Sequence, residues 1–512
     1  METIHIDGHS LTLENINKVA YRHDIEIKIK DEAKEKIYRA RALVEKSVAE
    51  HKIIYGLTTG FGQFKNVVIN AAQTEELQKN LIMSHSIGVG ESFSEPIVRA
   101  AALIRANSLS HGNSGVRLAT IESVLNVINK NIYPFVPSKG SVGASGDLAP
   151  LSHMVLCLMG LGEVIIDQKR MDSGEFLKQV GLMPLVLTSK EGLALNNGTA
   201  FMSSIGALNI IKAEQLLKLA DITSAMSLEA SMGTVAACDP KIHKLRPHTG
   251  QIFSAANIRR LCQGSEIMES HKNCDRVQDS YSLRCVPQVH GAIKDAFNYA
   301  KRVIETEINS VTDNPLIFSE QEEVISGGNF HGEPIAFAMD FLTIAVSELA
   351  NISDRRIFKL LTNFISEGLP AFLIPVDKGG LNNGFMIAQY TTASLVAENK
   401  ILSHPASVDS IPTSADQEDH VSFGMTAAYK AKKVIENVRH VLAIELMCAT
   451  QALDFKKPLI PGRGSKAAYD AVREMVPFLD NDRVLYKDLE KIEHIIPMVI
   501  DKVEQSVGRL EV

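Results

Sequence analysis

The sequence predicts a mainly α-helical fold, a bundle of long helices behind a loop-rich N-terminal part. Three observations carry this prediction. Apolar residues recur at i, i+3, i+4 and i+7 over long stretches. Strand-type alternation is scarce. The breaks between periodic stretches are loops rich in Gly, Asn, Ser and Pro.

Taken in order, Ile4 and Ile6 alternate with polar residues before Asp7-Gly8-His9, which predicts a small hairpin. A helical pattern follows over 31–52. The stretch YGLTTGFGQF from Tyr55 to Phe64 holds three glycines and reads as a loop. Long helices are predicted over 205–232, 334–361, 381–402 and 421–453. Another starts at Val289 and runs Ala292, Ile293, Ala296, Phe297, Ala300, Val303, Ile304, Ile308, until Asp313-Asn314-Pro315 stops it, because proline cannot continue a helix. No internal repeat, low-complexity tract or linker stands out. We divide the chain into 1–200, carrying the substrate loops, and 201–512, the central bundle and C-terminal helices.

Composition bounds the function. The 512 residues are 45% hydrophobic and 22% charged, ordinary globular values. The net charge of −7, with no Trp and 6% aromatic residues, gives no footing for nucleic acid or an anionic membrane. Six cysteines without a C-x-x-C pair argue against structural zinc and read as thiols of a reducing compartment. METIHIDGHS lacks a signal-peptide pattern, and the apolar stretch from Leu148 to Ile166 is broken by Pro150, His153 and Glu163. A cytoplasmic protein without a metal is expected.

One short stretch stands apart: SVGASGDLAPLSH, 141–153. Gly143-Ala144-Ser145-Gly146 does not match the G-x-S-x-G of a hydrolase nucleophile. There is no Gly-Lys-Ser/Thr of a phosphate loop, nor a G-x-G-x-x-G dinucleotide turn. A plain turn is one reading. A different chemistry also wants these residues in this order. In a sharp bend the Gly146 nitrogen, the least obstructed, attacks the carbonyl of the small Ala144. Ser145 then loses water and becomes an exocyclic methylene. The product is an electrophilic five-membered ring, an electron sink made by the chain itself.

GASGDLAPLSH resembles the signature of the ammonia-lyases and aminomutases that carry this ring, 4-methylidene-imidazol-5-one (MIO). YGLTTGFG, LIMSHSIGVGE, NSGVR, EGLAL-NGT, QDSYSLRCVPQV, SGGNFHGEPIAF and HPASVDSIPTSADQEDHVS resemble further segments of that family, in the same order, from about Tyr55 to Val421. The resemblance implies a long-helix bundle of the fumarase/aspartase-like type and an MIO built from Ala144, Ser145 and Gly146 with no external cofactor. It also implies a homotetramer whose active sites are shared between subunits. By the same resemblance Tyr281 is the general base, Tyr55 a second tyrosine in proton handling, and Arg284 the clamp on the substrate carboxylate. Asn197 orients the substrate, while Gln278 and Phe330 are close neighbours of the ring.

Ser84-His85 and Gln417-Glu418-Asp419-His420 point to the histidine-specific branch, whose reaction gives trans-urocanate and ammonia from L-histidine. A carboxylate at Glu418 accepts an imidazole N–H by a charge-assisted bond, and a phenyl ring could not use it. Taken singly, each of these residues has a blander reading: half-buried tyrosines, an arginine in an ion pair, a solvated glutamate, a turn asparagine before Gly198. Their joint occurrence assigns the roles. Tyrosine or phenylalanine ammonia-lyases and aminomutases share the constellation. A catalytically dead helical scaffold would have lost Ser145, Tyr281 or Arg284, and all three are present. Departures from the family pattern at Thr58, Asn196, Ala200, Ser280 and Asp416 bear on substrate choice rather than on the ring.

Overall fold

A computed structural model describes residues 2–70 and 73–512. The first element is not a hairpin. Strand Glu2–Ile6 pairs in parallel with Ile25–Ile29, Ile4 opposite Ile27, and helix Leu13–Tyr21 makes the crossover. The reason is local. Asp7-Gly8 does turn the chain, but Thr12 and Asn15 form a reciprocal cap that starts a helix where the return strand would run. Arg99, fully buried, closes that helix by donating to the carbonyls of Val19 at 2.8 Å and Arg22 at 2.7 Å.

The periodic stretches are helices within a few residues of expectation: Asp31–Ala49, Ala200–Ala230, Val286–Glu307, Glu333–Leu361 and Gly424–Asp454. The helix expected from 381 begins only at Ala388, because Gly384 sits at φ +55° and the chain before it is turned. The remaining strands form short antiparallel pairs, among them Val89–Ser92 with Pro137–Lys139 just before the glycine-rich stretch. Glu333–Leu361 is the one described helix long and apolar enough to cross a membrane. Two thirds of its apolar window, 67%, is buried within the protein, as in a core helix.

The chain forms two compact units, each assembled from three segments. The first comprises Met1–Asn209, Lys301–Asp340 and Pro405–Tyr429. Its helix Glu95–Ser110 is buried from Ile97 to Ser110, the pattern of a central core helix rather than an amphipathic one. The second comprises Ile210–Ala300, Phe341–His404 and Lys430–Val512. Its core encloses Glu445, which accepts from Thr223, Ser227, Ser353 and Arg356. Burial pushes this carboxyl up, but the Arg356 guanidinium overrides it and holds the group below its usual range. All six cysteines are free, and Cys157, Cys238, Cys262 and Cys448 are buried.

Candidate active site

The stretch around Ser145 is a bend that a regular element could not make. Gly143 and Gly146 have φ +80°, and Ser145 between them has φ +51°. A side chain at Gly146 would put its Cβ 2.1 Å from the Gly198 carbonyl oxygen, and one at Gly143 would meet Ser422 Oγ at 2.3 Å. Both positions require glycine on grounds of space as well as conformation. Non-glycine residues held at positive φ cluster where function needs strain, and Ser145 is one of them. A small, sharply bent tripeptide followed by a buried acid fits ring formation from Ala144, Ser145 and Gly146.

Three contacts fix this bend. Gly198 donates its N–H to the Ser145 carbonyl at 3.1 Å, and Asp147 donates its N–H to the Gly198 carbonyl at 2.7 Å. The Asn197 carboxamide satisfies both its ends when its nitrogen donates to the Ser145 carbonyl at 3.0 Å and its oxygen accepts from the Asn314 N–H at 3.1 Å. The Ser145 carbonyl therefore faces two N–H donors, the arrangement that stabilises charge developing on oxygen. Asp147 is fully buried and accepts the Met202 N–H at 2.8 Å, at the start of helix Ala200–Ala230. Burial nevertheless pushes its carboxyl up to about 7.

Beside the bend lies a cavity of about 1220 Å³, formed wholly within the first unit. It brings together Tyr55, His85, Ser145, Asn197, Phe330 and Glu418 of the expected residues. Tyr55 comes from the glycine-rich loop. Its hydroxyl accepts from the Gly62 N–H at 3.5 Å, and burial, with Glu418 adding to it, raises its pKa. That direction favours the protonated phenol. His85 ends helix Thr74–His85, its Nδ1 3.1 Å from Ser84 Oγ, and burial lowers its pKa, favouring neutral imidazole. Glu418 stands in a loop where Ser414, Ala415 and Asp416 all take positive φ, and Thr413 donates its N–H to the Glu418 carbonyl at 2.8 Å. One carboxylate oxygen, Oε2, is buried without a partner. An acceptor left open in this way, in a cavity of a folded protein, is costly unless a ligand donates to it.

Other expected residues lie elsewhere. Gln278, Tyr281 and Arg284 belong to the second unit and do not line the cavity. Tyr281 is 72% exposed, and the Arg284 guanidinium stands 4.7 Å over its ring. Of the departures from pattern, Asn196 does line the cavity. It donates to Ser152 Oγ at 3.2 Å and leaves its own oxygen unpartnered. Asp416 is exposed and not part of the lining.

The structure adds residues that the sequence reading did not single out. His331 and His420 stack with centroids 5.6 Å apart along the cavity wall. With Glu333 they bring potential metal ligands within 4.8 Å of one another, but His331 Nδ1 already accepts the Glu333 N–H at 3.3 Å. Gly198, Asp147 and Asp313 support the bend. The only sequence signal for these was their place beside Asn197, Ser145 and Pro315.

This geometry has a family. The description that matches is "aromatic amino acid lyase", over residues 11–474. The chain belongs to the aromatic amino acid lyases. It is 54% identical to a histidine ammonia-lyase of Caldanaerobacter subterraneus subsp. tengcongensis, covering 97% of each chain. Among solved structures it is similar to histidine ammonia-lyase from Trypanosoma cruzi, with TM-score 0.92 and 42% identity over 99% of this chain and 96% of that one. It is also similar to tyrosine aminomutase from Streptomyces globisporus, with TM-score 0.94 and 37% identity over 99% and 100%. The lyase fold is therefore common to different reactions, and the choice among them rests on the cavity of this member of the aromatic amino acid lyases.

Proposed function

We propose that this chain eliminates ammonia from L-histidine without oxidation, giving trans-urocanate. The observation that carries the reading is the open, buried Oε2 of Glu418 in the same cavity as Ser145. An imidazole N–H supplies the missing donor, and neutral His85 supports the same ring. A phenyl ring gives that oxygen no donor at its edge. The 54% identity to a named histidine ammonia-lyase supports it, whereas the fold alone serves aminomutases equally well.

The MIO ring from Ala144, Ser145 and Gly146 would supply the electrophile that takes the substrate amine, with no external cofactor. The chain's own residues do the rest. The Gly198 N–H and the Asn197 carboxamide hold the Ser145 carbonyl, where negative charge accumulates. Tyr281 removes the β-proton as general base, Tyr55 handles a proton across the cavity, and Arg284 binds the carboxylate bidentately. Phe330 packs beside the ring and Gln278 completes its surroundings. Because Gln278, Tyr281 and Arg284 belong to the second unit and do not line the cavity of the first, we assign them to the site of another subunit of a homotetramer. The division into 1–200, bearing the ring, and 201–512, bearing the bundle, is kept as part of this proposal, as is a cytoplasmic location.

The test is near-ultraviolet absorbance with L-histidine, L-tyrosine and L-phenylalanine in parallel, ammonia being assayed in each. Urocanate and ammonia in step from histidine alone is the expected result. A β-amino acid without free ammonia would instead make the chain an aminomutase.

A further inference from the structure

Behind the two donors on the Ser145 carbonyl lies a charged layer that does not line the cavity beside the bend. Lys190 and Asp313 form an ion pair at 2.6 Å with both side chains at 0% exposure. A buried pair of this kind contributes little net stability, because desolvating two charges offsets their attraction. Its geometry here is also strained: Lys190 takes φ +74°, left-handed for a residue with a long side chain, to place its ammonium. Burial lowers the lysine's pKa, which Asp313 opposes.

The pair leads to the bend by named bonds. Asp313 Oδ2 accepts from Lys190 Nζ, and Asp313 Oδ1 accepts the Asn314 N–H at 2.7 Å. That same N–H reaches the Asn197 side-chain oxygen at 3.1 Å, and the Asn197 nitrogen reaches the Ser145 carbonyl at 3.0 Å. A second buried cation lies alongside. Arg105 donates to the Thr312 carbonyl at 3.3 Å and to that of Ala194, and a Cβ at Gly198 would fall 2.5 Å from its Nη1. Buried cations thus hold the Ala194 and Thr312 carbonyls and the Asp313 carboxylate around Asn197.

We propose that Lys190 and Asp313 are positioning residues for the elimination, fixing the Asn314 amide so that the Asn197 carboxamide keeps its N–H on the Ser145 carbonyl. The inference rests on the ring reading above. With the Asn197 amide turned over, its nitrogen would instead donate to Asp313 Oδ1 at 3.4 Å and to the Asn314 carbonyl at 3.3 Å. The pair biases the side chain towards the orientation that serves the Ser145 carbonyl, before substrate arrives. Such preorganisation of a donor is what distinguishes a catalytic hydrogen bond from one that must form during the reaction.

The test compares the unaltered chain with Lys190→Met, Asp313→Asn, the double variant and Asn197→Ala. The double variant removes both charges, so no orphan ion remains to unfold the core. Two readouts are taken besides turnover. Intact mass reports whether two waters have been lost, and sodium borohydride reports the electrophile through its rate of hydride addition, the methylene carbon gaining hydride and the Ser145 oxygen the charge. For the double variant, with the mass deficit retained, kcat and the borohydride rate are expected to fall about tenfold to a hundredfold, part of the 10²–10³ cost of losing a whole donor, while KM stays within about twofold. Both single variants should slow the reaction. A pure effect of field would send them in opposite directions, since one removes a positive charge and the other a negative one. On the Asn197→Ala background the double variant should add nothing. Full rates in a folded double variant, or losses that add to those of Asn197→Ala, overturn the proposal. A chain with the mass deficit but no product from histidine overturns only the substrate reading, because the borohydride rate still reads the pair. An unaltered chain of full mass overturns the ring, and the pair's role with it.

Discussion

The Gly198 backbone N–H donates to the Ser145 carbonyl at 3.1 Å, and Gly198 can do so only because it is glycine. At φ +140° its Cβ would lie 2.1 Å from the Thr312 carbonyl oxygen. The bend at Ser145 is thereby tied to the turn that carries Asn197, and the two donors on one carbonyl act together. Asn197→Ala removes one of them. The expected outcome is a fall of about 10²–10³ in kcat, with the intact mass still two waters short of the sequence mass. Steady-state kinetics and mass spectrometry on the same preparation check it, and an unchanged kcat would remove Asn197 from the chemistry.

Gly146→Ala tests the bend itself. The added Cβ would meet the Gly198 carbonyl at 2.1 Å, and φ +80° is unfavourable for alanine. The nitrogen that must attack Ala144 is displaced. The expected product is a folded chain of full sequence mass without activity. Circular dichroism shows whether the fold survives. A mass two waters short in this variant would refute the ring geometry drawn here.

Glu418→Gln keeps size and removes charge. The charge-assisted bond to an imidazole N–H becomes a neutral one. We expect kcat/KM for histidine to fall about tenfold to a hundredfold, roughly 1.4–2.8 kcal/mol, with no comparable loss for phenylalanine, whose ring has no donor. The ratio of kcat/KM between the two substrates is the quantity to measure. Equal losses on both would assign Glu418 to the structure of its loop instead.

Much of this was legible in the sequence. The helical period of Val286–Glu307 survives folding because the helix buries one stripe, whereas Gly424–Asp454 alternates only over its first half and is buried on every side from Val441 to Leu453. The motif residues of the cavity were legible because Ser145, Asn197 and Glu418 each sit in a loop whose composition no helix interior tolerates. What was hidden depends on long-range pairing. Ile4 gives no sign that it will pair with Ile27 across a helix rather than with a neighbouring strand. The link from Lys190 to Asp313 spans more than a hundred residues and has no period or motif to betray it. Tyr281 was singled out by motif alone, and nothing in its local pattern foretells a side chain 72% exposed in the single chain.

Asp147 makes stability depend on pH. Its folded carboxyl titrates near 7 because burial outweighs its N–H partners, whereas in the unfolded chain it titrates at an ordinary carboxylate value. A group raised in the folded state contributes stability that is full below the unfolded value and lost as pH rises through the folded one. Glu307, raised by burial and held by Thr199 at 2.6 Å, acts in the same sense. Asp221 acts oppositely. Lys294 and His290 overcome its burial and hold it at about 2, so its contribution disappears as acid is added. Between pH 5 and pH 8 Asp147 therefore contributes a loss of stability as pH rises, on the order of 3 kcal/mol, which is opposed by His85, His111, His153, His243 and His290, all held below their usual value by burial. Asp147→Asn should remove that loss. Melting temperature against pH for both chains measures it, and parallel slopes would mean that Asp147 does not titrate in this range.

The last prediction concerns Tyr281. A base that removes a weakly acidic C–H proton works where water is excluded, yet this hydroxyl belongs to a residue 72% exposed in the single chain. On the proposed reading, an assembly that sets it over another subunit's Ser145 would cover it and would bring Arg284 to a cavity whose described lining holds no arginine. Ser145→Ala removes the electrophile and Tyr281→Phe removes the base, so each variant alone is expected to be inactive. When the two are co-expressed and assemble at random, sites formed from Ser145 of one subunit and Tyr281 of another recover about a quarter of the parent activity. If each site drew both residues from one chain, the mixture would stay as inactive as its components. Mixing after separate purification is the control, since assembled oligomers that do not exchange subunits should recover nothing until they are dissociated and refolded together.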